Sequence, residues 1–79
     1  MLKVSIKSRV KSLFDGSATS VTSKNTTGEF DVLGSHANFV TLIKEKLILD
    51  KGLSTEKKFD VNSGILSCNS DVVVVYLDL

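Results

Sequence analysis

The chain holds one histidine, His36, and one cysteine, Cys68, which leaves few candidates for a nucleophile and its base. Nucleophilic catalysis needs a nucleophile, a base and a group that orients the base, and metal catalysis needs a cluster of ligands. Ser35 beside His36, with any of several aspartates, makes a Ser-His-Asp set formally possible, but serine and aspartate are too common to carry information. No nucleophile elbow, phosphate-binding glycine loop or zinc spacing is present. Cys68 has no partner cysteine, so a disulfide framework or a multi-cysteine zinc site is excluded within these residues, and its expected place is a small buried strand position. No catalytic, cofactor-binding or metal-ligating residue is assigned, and no enzymatic activity is expected.

What these residue types suit is contact. Residues 28–41 gather two glycines, Glu29 and His36 between strand-like stretches, and are expected to form a shaped loop that carries the contact surface. As a structural residue His36 would donate a ring N–H to a backbone carbonyl and fix that loop; as a functional one it would meet a partner. Glu29, beside Gly28 at the tip of an exposed segment, is either a solvated acid or a charged contact. Lys57 and Lys58 read as an outward face or as protection of a sheet edge.

The elements that position these residues are mostly strands. Leu2, Val4 and Ile6 alternate with polar residues, which at a period of two puts them on one sheet face. Residues 10–14 form a second segment that Asp15-Gly16 should end in a turn, and a third strand surrounds Ala18 and Val21. Residues 23–28 are polar and turn-rich, an exposed loop. Residues 64–68 and 71–77, separated by Asn69-Ser70, suit a tight hairpin, and the β-branched run of residues 72–75 is expected to be partly covered on both faces. Residues 35–52 admit two readings. Ser35 caps and Gly52 stops a helix of about four turns with Phe39, Leu42, Ile43 and Leu47 on one face. Alternatively, residues 39–43 and 46–49 are strands joined by a bend at Lys44-Glu45, followed by a loop at residues 50–52 and a strand over 56–61; Val40, Thr41, Ile43 and Ile48 modestly disfavour helix.

At 79 residues, 42% hydrophobic and 24% charged, the chain is one folded domain over residues 1–79 with an economical core. The net charge of +1 and scattered lysines argue against nucleic acid, which needs several cations on one face and aromatic platforms for single strands. No apolar run approaches the roughly 20 residues of a membrane helix, and the start lacks the apolar core of a signal peptide. An intracellular protein without membrane insertion is expected.

Three elements, in order and covering nearly the whole chain, resemble one family. Phe14-Asp15-Gly16-Ser17-Ala18 is similar to an aromatic-x-Gly-x-Ala element set fourteen residues before a Gly-Glu pair. Gly28-Glu29-Phe30, then Val32-Leu33, His36-Ala37, an apolar pair and Thr41 follow the same family's order. Phe59 to Leu66, then Val72 to Asp78, resemble its closing hairpin. The family is the epsilon subunit of rotary F-type ATP synthases, in its N-terminal β-sandwich domain. The chain departs from it at Gly34 and Asn38, where prolines are usual, at Asp31 and Ser63, where glycines are usual, and in having no proline at all. Glycine in place of proline adds unfolded-state entropy worth roughly 0.4–1 kcal/mol per site, so a more mobile loop is expected.

The resemblance selects the two-strand reading of residues 39–49 and implies an all-β fold, a small β-sandwich of short, mostly antiparallel strands. Two sheets would enclose Val4, Ile6, Phe14, Val21, Phe39, Leu42, Phe59, Val61, Leu66, Val73 and Val75. It implies a non-catalytic central-stalk subunit that binds the gamma subunit and the c-ring and helps couple proton or sodium translocation to ATP synthesis, peripheral at the cytoplasmic face of the inner (plasma) membrane and monomeric when isolated. By the same resemblance, Thr27, Gly28, Glu29 and Phe30 face the c-ring loops, while His36, Ala37 and Thr41 lie near the gamma and ring contacts. Family members commonly continue into a two-helix C-terminal domain that in some binds ATP or inhibits rotation; residues 1–79 are expected not to carry those roles. A free-standing β-sandwich adaptor for another assembly is the alternative, and a small hydrolase with a His36-governed pH profile is a more distant one.

Overall fold

A computed structural model of the chain describes residues 1–34 and 38–77. Seven strands account for most of them: β1 (Leu2–Lys7), β2 (Ser12–Ala18), β3 (Ser20–Asn25), β4 (Gly28–Leu33), β5 (Asn38–Leu49), β6 (Lys57–Asn69) and β7 (Val72–Leu77). They hydrogen-bond in the order β2-β1-β7-β6-β5-β3-β4. All neighbouring pairs are antiparallel except β1 with β7, which is parallel. The two expected sheets are thus one continuous hydrogen-bonded sheet folded into two layers.

Connectivity forces the fold-over. β2 lies at one edge and β3 near the other, yet only Thr19 separates them in sequence. A flat sheet would hold these strands far apart, at roughly 4.8 Å per strand, so the sheet must bend until its two ends meet. The bend falls where β5 and β6 slip register between Ile43 and Glu45. Ile43 pairs with Gly64 and Glu45 with Val61, so β6 carries one extra residue, the geometry of a β-bulge that bends the ladder. Glu45 has a φ of 71°, in the left-handed region that non-glycine residues rarely occupy. The first half of β5 and the second half of β6 join β7, β1 and β2 in one layer; the remaining halves join β3 and β4 in the other.

Rows of paired residues explain the core. Across the first layer, Thr41, Leu66, Val75, Ile6 and Phe14 form one row and Phe39, Cys68, Val73, Val4 and Gly16 the next. Leu66, Val75, Ile6, Val73 and Val4 are completely buried, and the phenylalanines pack against them. Val21, Val32, Leu47 and Leu49 answer from the second layer. Each such side chain contributes about 1.5–3 kcal/mol of transfer free energy. Phe14 and Gly16 share this face two residues apart, and a Cβ on Gly16 would lie 3.2 Å from the Phe14 ring; the aromatic-x-Gly element is a ring laid over a glycine.

Several boundaries differ from expectation. Asp15-Gly16 lies inside β2, and the turn sits earlier, closed by Ser8 N–H to Lys11 O at 2.9 Å. Ser23 and Lys24 belong to β3, with Ser23 completely buried and its hydroxyl donating to Lys46 O at 2.7 Å; a polar run whose hydroxyl finds a backbone acceptor can be core. Glu29 and Phe30 lie within β4 rather than at a loop tip. Leu42 is 70% exposed and belongs to no core. Residues 39–49 are a strand with the bend at Lys44-Glu45, as the strand reading requires.

Asp50 fastens the corner between the layers. Its Oδ1 accepts from Thr19 N–H at 2.6 Å and Thr19 Oγ1 at 2.9 Å, and Oδ2 accepts from Thr55 Oγ1 at 2.7 Å. Its own N–H donates to Ser20 O at 3.1 Å. The Thr55 hydroxyl, followed by the Thr19 amide and hydroxyl, holds the carboxyl below its ordinary value.

Candidate interaction surface

The β3–β4 turn is built by its own side chains. Asn25 Oδ1 accepts from Thr27 N–H at 2.9 Å and Thr27 Oγ1 at 2.6 Å, a local bond of the kind asparagine offers at turns. Gly28 follows with a φ of 126°, which excludes a side chain there without strain. Asn25 Nδ2 donates to Thr41 Oγ1 at 3.2 Å, and the Phe30 and Phe39 rings meet edge to face, 6.3 Å apart at 80°. Thr27, Phe30 and Thr41 are thereby brought together around one hairpin, with Thr41 half-buried.

Glu29 points to the outer face of this layer. Its carboxylate pairs with Lys46 and lies 3.5 Å from Lys51 Nζ. The Lys46 hydrogen bond, then the charges of Lys46 and Lys51, hold Glu29 below the ordinary carboxylate range. Lys24 and Glu45 pair at 3.1 Å on the same face, and Thr22 Oγ1 donates to Asp31 Oδ1 at 2.5 Å. Glu29, Glu45 and Asp31 are thus each already partnered within the domain. His36 and Ala37 lie outside the described residues.

The other layer presents a different outer face, one the sequence reading missed. Leu42, Ile65 and Tyr76 form one cross-strand row, Val40, Ser67 and Val74 the next, and Asn38, Asn69 and Val72 the third. Val40 and Leu42 are 69% and 70% exposed, and Val72 and Tyr76 are nearly half exposed. Six apolar side chains on three adjacent strands make a contiguous patch of the kind that marks a contact site. The row then turns polar on β1, at Lys3, Ser5 and Lys7. The available signal was that Phe39, Val40, Leu42 and Ile43 are apolar on both strand faces, more than a domain of this size covers from one side.

Lys57 and Lys58 sit where β6 pairs with β5 alone, since β7 ends at Leu77 opposite Gly64; they flank an open edge, as charged residues do. The buried Cys68 thiol is pushed up by burial and by Asp71, and donates to Ser70 O at 3.4 Å. Among the described residues no group of three or more His, Cys, Asp or Glu could hold a metal ion.

Comparison with known proteins gives these surfaces a setting. The chain is 37% identical over 79 residues to an ATP synthase epsilon chain of Clostridium novyi, covering 96% of this chain and 59% of that relative. It is 33% identical over 63 residues to the epsilon chain of Caulobacter vibrioides, covering 80% and 73%. The chain thus spans about six-tenths of the first relative's length. A chain in the cryo-EM structure of the Euglena gracilis mitochondrial ATP synthase superposes with a TM-score of 0.84 at 15% identity, covering 96% of this chain and 49% of that one. One from the central stalk and c-ring of the Tetrahymena thermophila enzyme superposes at 0.73 and 14% identity, covering 96% and 62%; both likenesses are of fold. The profile described as ATP synthase, Delta/Epsilon chain, beta-sandwich domain matches residues 1–78. With that match and those identities, the chain belongs to the β-sandwich domain family of ATP synthase delta and epsilon chains.

Proposed function

We propose that this chain serves as a non-catalytic rotor subunit in the central stalk of an F-type ATP synthase. It binds the gamma subunit and the c-ring and helps couple proton or sodium translocation to ATP synthesis. The observation that carries the reading is the open apolar face of Val40, Leu42, Ile65, Val72, Val74 and Tyr76 on a domain of this family. A stalk subunit must ride on its neighbour without slipping. Burying a wide apolar face supplies that hold, although ordering and lost rigid-body freedom consume much of the gross gain.

Gamma occupies this face. By the family resemblance, His36, Ala37 and Thr41 contribute to the gamma and ring contacts. The hairpin of Thr27, Gly28, Glu29 and Phe30 takes the polar loops of the c-ring. The domain works at the cytoplasmic face of the inner (plasma) membrane as a peripheral part of the complex and is monomeric when isolated. No helix among the described residues is long and apolar enough to cross a membrane.

Co-purification with the gamma subunit of the same source, followed by titration, tests the reading. The expected affinity is micromolar or tighter, about 8 kcal/mol or more. A domain folded by circular dichroism that shows no detectable binding would overturn it. His36→Ala and Glu29→Ala are expected to leave the fold intact and lower the yield of assembled complex; unchanged yield with both would remove these residues from the contacts.

A further inference from the structure

We propose that the tip of the β1–β2 hairpin, residues 8–11 with Lys7 at its root, docks on the anionic headgroups of a lipid bilayer surface. Lys7, Arg9 and Lys11 place three cations within five residues, all exposed. Among the described residues none of them joins an ion pair. The nearest acid along the chain, Asp15, sits further down the ladder opposite Ser5. Val10, at the apex between Arg9 and Lys11, is 87% exposed, and Leu13 just inside β2 is 36% exposed.

The apex is held in shape. Ser8 N–H donates to Lys11 O at 2.9 Å, and Ser8 Oγ accepts from Lys11 N–H at 3.3 Å and Val10 N–H at 3.4 Å. A preorganised turn with an apolar apex flanked by cations matches the headgroup boundary of an anionic membrane, where each basic residue is attracted and a small apolar group enters shallowly. With a net charge of +1, the attraction has to be local to the tip. A nucleic acid would offer the same phosphates, but the tip carries no aromatic side chain on which bases could stack; the apolar apex favours lipid.

This inference stands apart from the rotor assignment, and vesicles without gamma test it alone. The chain is mixed with vesicles of phosphatidylcholine or of equimolar phosphatidylcholine and phosphatidylglycerol and sedimented. Preferential partition onto the anionic vesicles is expected, weakening as salt rises. Arg9→Ala with Lys11→Ala should weaken it roughly 25-fold, at roughly fivefold per cation, and Val10→Asp should weaken it further, with circular dichroism unchanged. Equal partition onto both vesicles, an unaffected double variant, or complete competition by an oligonucleotide at equal phosphate would overturn the proposal.

Discussion

On the outer face of β3, β4 and the second half of β5, Glu29 is shared between Lys46 and Lys51, and Glu45 takes Lys24. Across the fold, the outer face of β5, β6 and β7 leaves Val40 and Leu42 about 70% open to solvent. Both faces belong to the same two long strands, on either side of one bulge. The polar face gains little from a partner at Glu29 and Glu45, because both acids are already paired and exposed ion pairs typically contribute about 0–1 kcal/mol. The apolar face would gain much. Contact strength is therefore expected to reside in the first layer, and orientation or register in the second.

Removing the bulge breaks the comparison outright, since it divides the two faces. Gly64 is buried there, and a Cβ would lie 2.7 Å from Tyr76 O, 3.0 Å from Leu77 Cδ2 and 3.3 Å from Ile43 Cγ1. The backbone oxygen cannot step aside as a side chain could. Gly64→Val is expected to cost about 3 kcal/mol, lowering Tm by roughly 12 °C or more. A thermal melt with Tm within a few degrees of the parent would show that the layers do not depend on this close approach.

Leu42→Lys sharpens the comparison by separating binding from stability. A side chain 70% exposed has little burial to lose, so the change in stability should stay within about 0.5 kcal/mol. Affinity for gamma should fall at least about tenfold, or 1.4 kcal/mol. Titration at matched Tm checks both halves, and an unaltered affinity would move the gamma contact off this face.

How legible all this was depended on what each residue had to satisfy. Leu2, Val4 and Ile6 alternate strictly and are buried, because a strand with one wet face leaves a period of two in its sequence. Leu42 looked equally apolar and faces solvent, since strand periodicity cannot say which of two apolar faces meets the core. Ser23 looked like loop and is buried, because the acceptor that satisfies it, Lys46 O, is distant in sequence. Glu29 was legible as a charge beside a glycine, while its partners Lys46 and Lys51 come together only when β4 and β5 flank β3. The left-handed backbone at Glu45 has no sequence mark, for glutamate is not a residue that advertises positive φ.

That backbone strain offers a gain in stability. Glu45 at φ 71° holds a conformation that costs an L-residue roughly 1–2 kcal/mol and glycine almost nothing. Glu45→Gly forfeits the exposed pair with Lys24, about 0–1 kcal/mol, and makes the unfolded chain more flexible. A net stabilisation of about 0.5 kcal/mol is expected, read as a rise of roughly 2–4 °C in Tm. A fall in Tm would mean that the ion pair outweighs the backbone term.

Glu29→Ala should have the smallest effect on stability, and for that reason it tests the polar face most cleanly. The Glu29 carboxyl is held below its ordinary value, chiefly by the Lys46 hydrogen bond. Its stabilisation is therefore fully present above the unfolded value of about 4.3 and is lost as pH falls through the lower folded value. Parent and variant should differ slightly in Tm at neutral pH and low salt, and converge both in acid and as salt screens the exposed charges. If Glu29 serves only its two lysines, assembly should track that small difference and vanish with it in salt. If it also meets the c-ring, the yield of complex should fall even where the two melting curves coincide, because the missing contact lies outside the folded domain.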